Sequence, residues 1–133
     1  MKAIIISSVL CAATYLSVSH AGVVDQMLNE YSKQTNTVFD STKGKTLWST
    51  SYTNNKDSQA RSCATCHSEN LASVGKHAKT RKPIEPLAPS VNPERLTDAK
   101  TINKWLLRNC KWTMGRECSM EEKGHLLKFI STQ

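Results

Sequence analysis

The feature that most constrains this chain is Cys63-Ala64-Thr65-Cys66-His67. Two thiols spaced by two residues can add across the two vinyl groups of one porphyrin, and the adjoining imidazole is then held where a nitrogen reaches the iron. The pentapeptide therefore reads as the attachment site of one covalent haem c, with His67 as proximal ligand. Two other chemistries use the same spacing. Half of a zinc site would need a second C-x-x-C or a histidine pair at ligand spacing, and the chain offers neither. A dithiol redox motif would be expected within a βαβ pattern, which the flanking sequence lacks.

The 133-residue chain opens as an exported protein does. Lys2 supplies a positive start, residues 3–18 an apolar run, and Ser19-His20-Ala21 a small-x-small cleavage site. A signal peptide over 1–21 is predicted, leaving one domain over 22–133. Serines and a threonine interrupt the apolar run, which is short for a transmembrane helix, so the product is expected to be soluble and periplasmic. Cys11 lies inside that run behind Leu10, where a lipoprotein box would need a small residue, and is expected to leave with the leader. Export agrees with the motif, because bacteria attach haem to C-x-x-C-H outside the cytoplasm, where other thiols can oxidise. A domain of this size is near the limit at which a core needs a cofactor or cross-link. The formal net charge of +7 favours an acidic docking partner. Nucleic acid is a poor fit, since the lysines are dispersed and no recognition motif is present.

The patterning is helical throughout. Val24, Met27, Leu28 and Tyr31 form one stripe of a helix over 23–37. Asp40 or Ser41 can cap a second helix ending near Ser49, with Leu47 and Trp48 inward and Gly44 allowing another helix to cross closely. Trp48 is read as ordinary core. Residues 51–61 are polar and aperiodic and read as a surface loop. After the motif, His77 sits among lysines and reads as solvated, an axial-ligand role being the less favoured alternative. Pro83, Pro86, Pro89 and Pro93 define an irregular strap, expected to lend a backbone carbonyl to the free N–H of His67. Thr97 can cap a helix running to about Asn109, with Ile102, Trp105 and Leu106 inward. Asn109 is the next position of that stripe, so it is either a polar amide aimed at the core or a helix terminator; pattern alone favours the terminator. Cys110 and Cys118 are left over once haem has used Cys63 and Cys66, and in an exported protein such a pair is expected to form a disulfide. Ser119 and Glu122 make a capping box for a last helix, with Leu126, Leu127 and Ile130 inward and His125 off the stripe and exposed.

Several longer motifs carry a family resemblance. They are Lys82-Pro83-Ile84-Glu85-Pro86-Leu87-Ala88-Pro89-Ser90, then Pro93-Glu94-Arg95-Leu96-Thr97-Asp98, then Lys104-Trp105-Leu106-Leu107-Arg108-Asn109-Cys110, and Gly115-Arg116-Glu117-Cys118. With the haem motif they resemble the SHP-type monohaem cytochromes c across most of residues 22–133. C-x-x-C-H is common to every cytochrome c; Arg-Asn-Cys followed by Gly-Arg-x-Cys is far more specific. The resemblance implies an all-α, class I-like fold of four to five helices around one covalent haem, with one disulfide. It implies that Asn109 is the sixth iron ligand and that Cys110 and Cys118 form the disulfide beside it. The function implied is electron transfer with binding of oxygen, nitric oxide or carbon monoxide by the reduced haem. Redox partners such as a dihaem cytochrome c and a membrane b-type cytochrome are implied as well. The stretch Lys111-Trp112-Thr113-Met114 lies outside the family signature and keeps Met114 as an alternative distal ligand, since thioether sulfur commonly closes the site of electron carriers. A simple low-spin carrier with a Met or His sixth ligand is thus the competing expectation. A haem enzyme reducing a small nitrogen or oxygen species is a third, for which no residue presents itself as proton donor.

Overall fold

The computed structural model describes residues 20–55 and 57–133. The signal-peptide reading falls almost wholly outside them. The elements in order are α1 (His20–Thr35), α2 (Ser41–Ser49), strands β1 (Tyr52–Asn54) and β2 (Gln59–Arg61), the single turn α3 (Ala64–His67), strands β3 (Gly75–Lys76) and β4 (Pro83–Ile84), α4 (Ala99–Thr113) and α5 (Met120–Ser131). The expected all-α architecture of five helices is what the chain adopts, with two small antiparallel ladders between the helices. No helix among the described residues is long and apolar enough to cross a membrane.

Two apolar clusters organise the packing. Val24, Met27 and Tyr31 of α1 meet Ile102 of α4 and Leu127 of α5 in one. Trp48, Leu71, Ala88, Cys110, Met114, Cys118, Leu126, Phe129 and Ile130 form the other. The helical stripes read from the sequence are buried or, at Leu28, Leu47 and Leu106, partly buried, apart from Trp105, which is 47% exposed.

Caps fix the helix limits. Asp40 takes an extended conformation and accepts from the Thr42 N–H, starting α2. Both halves of the Ser119/Glu122 capping box form at α5. For α4 the cap is Asp98, which accepts from the Thr101 N–H at 2.8 Å; the expected Thr97 instead donates its hydroxyl to the Glu94 carbonyl. At its other end α4 continues to Thr113 and stops before Gly115, whose φ of +74° suits a residue without a Cβ. Asn109 therefore lies four residues inside the helix, and the terminator reading is overturned.

The crossing of α2 over α5 corrects a second expectation. A Cβ on Gly44 would collide with the His125 carbonyl oxygen and reach the Phe129 Cβ at 2.5 Å. The helices thus touch through backbone, and His125 is 3% exposed rather than solvated. Its Nδ1 accepts from the Asp40 N–H at 2.9 Å, which satisfies a donor at the start of α2.

The segment 51–61 is a hairpin, not a loop. Tyr52 pairs with Arg61, Thr53 with Ala60 and Asn54 with Gln59. Its inward residues are polar, Asn54 and Arg61, so it shows no apolar alternation in sequence. Both serve the C-terminal turn of α4: Asn54 Nδ2 donates to the Trp112 carbonyl at 2.9 Å, and Arg61 donates to the same oxygen at 3.1 Å.

Candidate haem site

The pentapeptide forms one turn of helix, with Cys63 ahead of it and Ser68 ending it at a φ of +70°. Gly75 lets β3 lie against this turn, because a Cβ there would strike the Cys66 carbonyl oxygen and the His67 Cα. The next stretch of chain closes on Cys66 as well, the Ala78 N–H reaching its sulfur at 3.3 Å. On the other flank, Trp48 donates its indole N–H to the Ser68 carbonyl at 3.0 Å and packs its ring 5.7 Å from that of His67. Trp48 is core, as read, and it is also a wall of the site. A helical stripe reveals that a tryptophan points inward, not what it will meet there.

These residues open onto a cavity of about 540 Å³, within the range of cofactor sites. Cys63, Cys66 and His67 line it from one part of the chain; Asn109, Cys110 and Met114 line it from another more than forty positions away. Leu87, Leu106, Leu126, Leu127 and Ile130 add an apolar lining. Cys118 completes the set through the Cys110–Cys118 disulfide, whose Cα atoms are 5.5 Å apart. Every residue named from the sequence is thus brought to one place. His77 also borders the cavity, with Nδ1 accepting from the Thr80 N–H at 3.1 Å.

The electrostatics suit a metal-binding imidazole. Burial, and secondarily the charge of Arg95, push the His67 imidazole down to about 4, so it is neutral at neutral pH with a lone pair to offer. Its Nδ1 is fully buried with no hydrogen-bond partner among the described residues. The expected carbonyl from the proline strap does not reach it. The Pro86 carbonyl accepts instead from Arg95 Nε at 2.9 Å and Asn92 Nδ2 at 3.2 Å, and the Glu85 carbonyl from Arg95 Nη2 at 2.9 Å. Arg95, which the sequence reading passed over, thereby holds the strap and faces the cavity. Burial raises the Cys63 thiol to about 11, so it is protonated; thioether formation would leave a neutral sulfur in this apolar place.

Across the chain, Asn109 is half-buried, and its carboxamide hydrogen-bonds to none of the described residues. Met114 is 9% exposed, one turn beyond, with its sulfur 3.6 Å from Cys118 Sγ. Two thiols on one turn, a neutral imidazole beside them, an apolar cavity and an unengaged amide fit a covalently bound haem.

The comparisons with known proteins agree with this chemistry. Residues 34–130 match the family described as a domain of unknown function, DUF1924. The cytochrome c-type protein SHP of Cereibacter sphaeroides is 36% identical over 108 residues, covering 81% of this chain and 82% of that protein. The solved structure of oxidised SHP, an oxygen-binding cytochrome c, superposes with a TM-score of 0.75 at 34% identity, covering 83% of this chain and 96% of that one. The solution structure of cytochrome c'' from Methylophilus methylotrophus, studied for haem-ligand detachment, gives 0.72 at 28% identity, with 86% and 93% covered. Matched over most of its length in sequence and in fold, the chain belongs to the SHP family of c-type cytochromes, within the DUF1924 domain family.

Proposed function

We propose that this protein is a periplasmic electron-transfer cytochrome carrying one haem c, and that its reduced form binds a small diatomic ligand, with oxygen the first candidate. Cys63 and Cys66 hold the cofactor through thioethers, His67 is the proximal ligand and Asn109 the distal one. The haem, when bound, would supply an iron that cycles by one electron, with His67 and Asn109 as the residues able to hold it.

The residues account for redox gating. An amide oxygen is a hard, neutral, weak donor, better matched to ferric than to ferrous iron. Asn109 would therefore hold the iron in the oxidised protein and release it on reduction. Its NH₂ group then stays on the same helix, placed to donate a hydrogen bond to an incoming diatomic. The Cys110–Cys118 disulfide and the Asn54 and Arg61 bonds to Trp112 fix the turn that follows Asn109, so release is a side-chain motion. The observation that carries the reading is the shared cavity lined by the C-x-x-C-H turn and by an unengaged Asn109. Detachment of a haem ligand in the cytochrome c'' relative supports it by analogy.

The optical spectra of both oxidation states, with and without carbon monoxide, provide the test. The parent protein is expected to be low-spin when ferric and to bind carbon monoxide when ferrous. Asn109→Ala is expected to lose the ferric low-spin bands and keep carbon monoxide binding, while Met114→Ala leaves both as they were. A ferrous form that ignores carbon monoxide would remove gas binding and leave a plain electron carrier. That second reading has its own support, because Met114 borders the same cavity; it predicts that Met114→Ala changes the spectrum and Asn109→Ala does not.

A further inference from the structure

Along α4, Lys100, Lys104 and Arg108 recur at steps of four residues, which at about 100° per residue keeps them within an arc of roughly 80°. All three are exposed, and none has a carboxylate at ion-pair distance among the described residues. Lys111 extends the stripe, although Glu117 holds it at 3.1 Å. Like charges four residues apart repel; α4 itself contains no acidic residue, and the Asp98 carboxylate at its cap acts on Lys100, at the start of the stripe.

The stripe meets the haem cavity at Arg108. Arg108 and Trp105 both line that cavity. The half-exposed Trp105 ring lies 5.0 Å from the Arg108 guanidinium carbon and 5.9 Å from the Lys104 ammonium. Trp105 thus sits between the charged strip and the helix face that presents Asn109. A stripe of exposed positive charge and a large aromatic ring meet at one rim of the site, a combination that favours contact with an anionic protein surface.

We propose that this face of α4 is the docking surface for an acidic electron-transfer protein, whose carboxylates meet Lys100, Lys104 and Arg108 around Trp105. The proposal rests on the electron-transfer reading given above. A rival basic cluster, Lys76, Lys79, Arg81 and Lys82, flanks the turn between β3 and β4, but none of the four lines the cavity, whereas Arg108 does. In each encounter one electron would leave the donor and arrive at the ferric haem; no covalent bond would form or break, and only the weak Asn109 coordination would be released.

Stopped-flow reduction of the haem-loaded ferric protein tests this, using flavodoxin hydroquinone as the acidic donor protein and hexaammineruthenium(II) as a small cationic donor. With flavodoxin at low ionic strength, the second-order rate constant is expected to fall about tenfold in Lys104→Glu/Arg108→Glu. It should change less than about twofold in Lys79→Glu/Lys82→Glu, which alters the net charge equally. The ruthenium complex should reduce every variant and run no slower on the α4 variant. Should Arg108→Glu disturb folding or the ferric spectrum, Lys100→Glu/Lys104→Glu serves instead. Equal slowing in both pairs, greater slowing in the Lys79/Lys82 pair, or no slowing in either overturns the docking surface. If neither donor reduces the unaltered protein, the electron-transfer reading falls, and this surface with it.

Discussion

Asn109 and His125 show how a single residue's role depends on what the helix around it does next. The sequence places Asn109 on the inward stripe of α4 and leaves open whether the helix ends there; continuation to Thr113 resolves that in favour of an inward amide. His125 is off the apolar stripe of α5 by periodicity, yet α2 approaches so closely through Gly44 that the imidazole is enclosed. Its Nδ1 is an acceptor, so the proton sits on Nε2, which lies 3.6 Å from Glu121 Oε1. His125→Ala is expected to cost about 2–4 kcal/mol, since it opens a cavity and strands the Asp40 N–H. Urea unfolding with an unchanged m-value would report it. Trp48→Phe keeps the ring against His67 but loses the bond to the Ser68 carbonyl. A loss of about 1 kcal/mol is expected in the same measurement.

At the scale of elements, the C-terminal turn of α4 is clamped from outside. Helix ends leave carbonyls unpaired, and those of Lys111 and Trp112 are taken by Asn54 and Arg61 of the β1–β2 hairpin. Arg61 is 4% exposed, stacks 4.2 Å over the Trp112 ring and pairs with Asp57. Arg61→Ala should destabilise the fold by about 2–3 kcal/mol, by leaving the part-buried Trp112 carbonyl short of a donor and a void against the Trp112 ring, while the exposed Asp57 carboxylate returns to water. A smaller loss in Arg61→Lys, by thermal unfolding of both variants, would separate charge from fork geometry. The start of α5 predicts a pH effect. Arg116 donates twice to Glu122, both at 2.7 Å, and holds its carboxyl below the ordinary 4.5. The folded state thus favours the carboxylate, so this stabilisation is present above pH 4.5 and is lost as pH falls through the lower folded value. Glu122→Gln is expected to flatten the acid limb of stability against pH in that window while lowering stability modestly at pH 7.

For the molecule as a whole, the haem cavity lies where all the later elements converge. The disulfide restrains that convergence by tying Cys110 in α4 to Cys118 at the entrance of α5, a separation of 8 residues. Replacing both cysteines by serine is expected to cost about 2–3 kcal/mol from the unfolded-state entropy of so short a loop, read from denaturant midpoints. The ferric spectrum should broaden towards high spin as well, because Asn109 adjoins the released bond.

Local chemistry was enough to announce the cofactor, the helices and the cross-link. C-x-x-C-H in a chain with no second ligand pair and no βαβ pattern points to haem, amphipathic spacing names the face that turns inward, and Cys110 and Cys118 had no other use. Inward-facing polar residues were what the sequence could not place. Asn54, Arg61 and His125 are buried because backbone groups elsewhere in the chain accept from or donate to them, and Trp48 and Arg95 belong to the haem site because of what crosses them. Apolar burial needs only an inside, which periodicity records; polar burial needs a particular partner, and partners brought from distant positions exist only once the chain has folded.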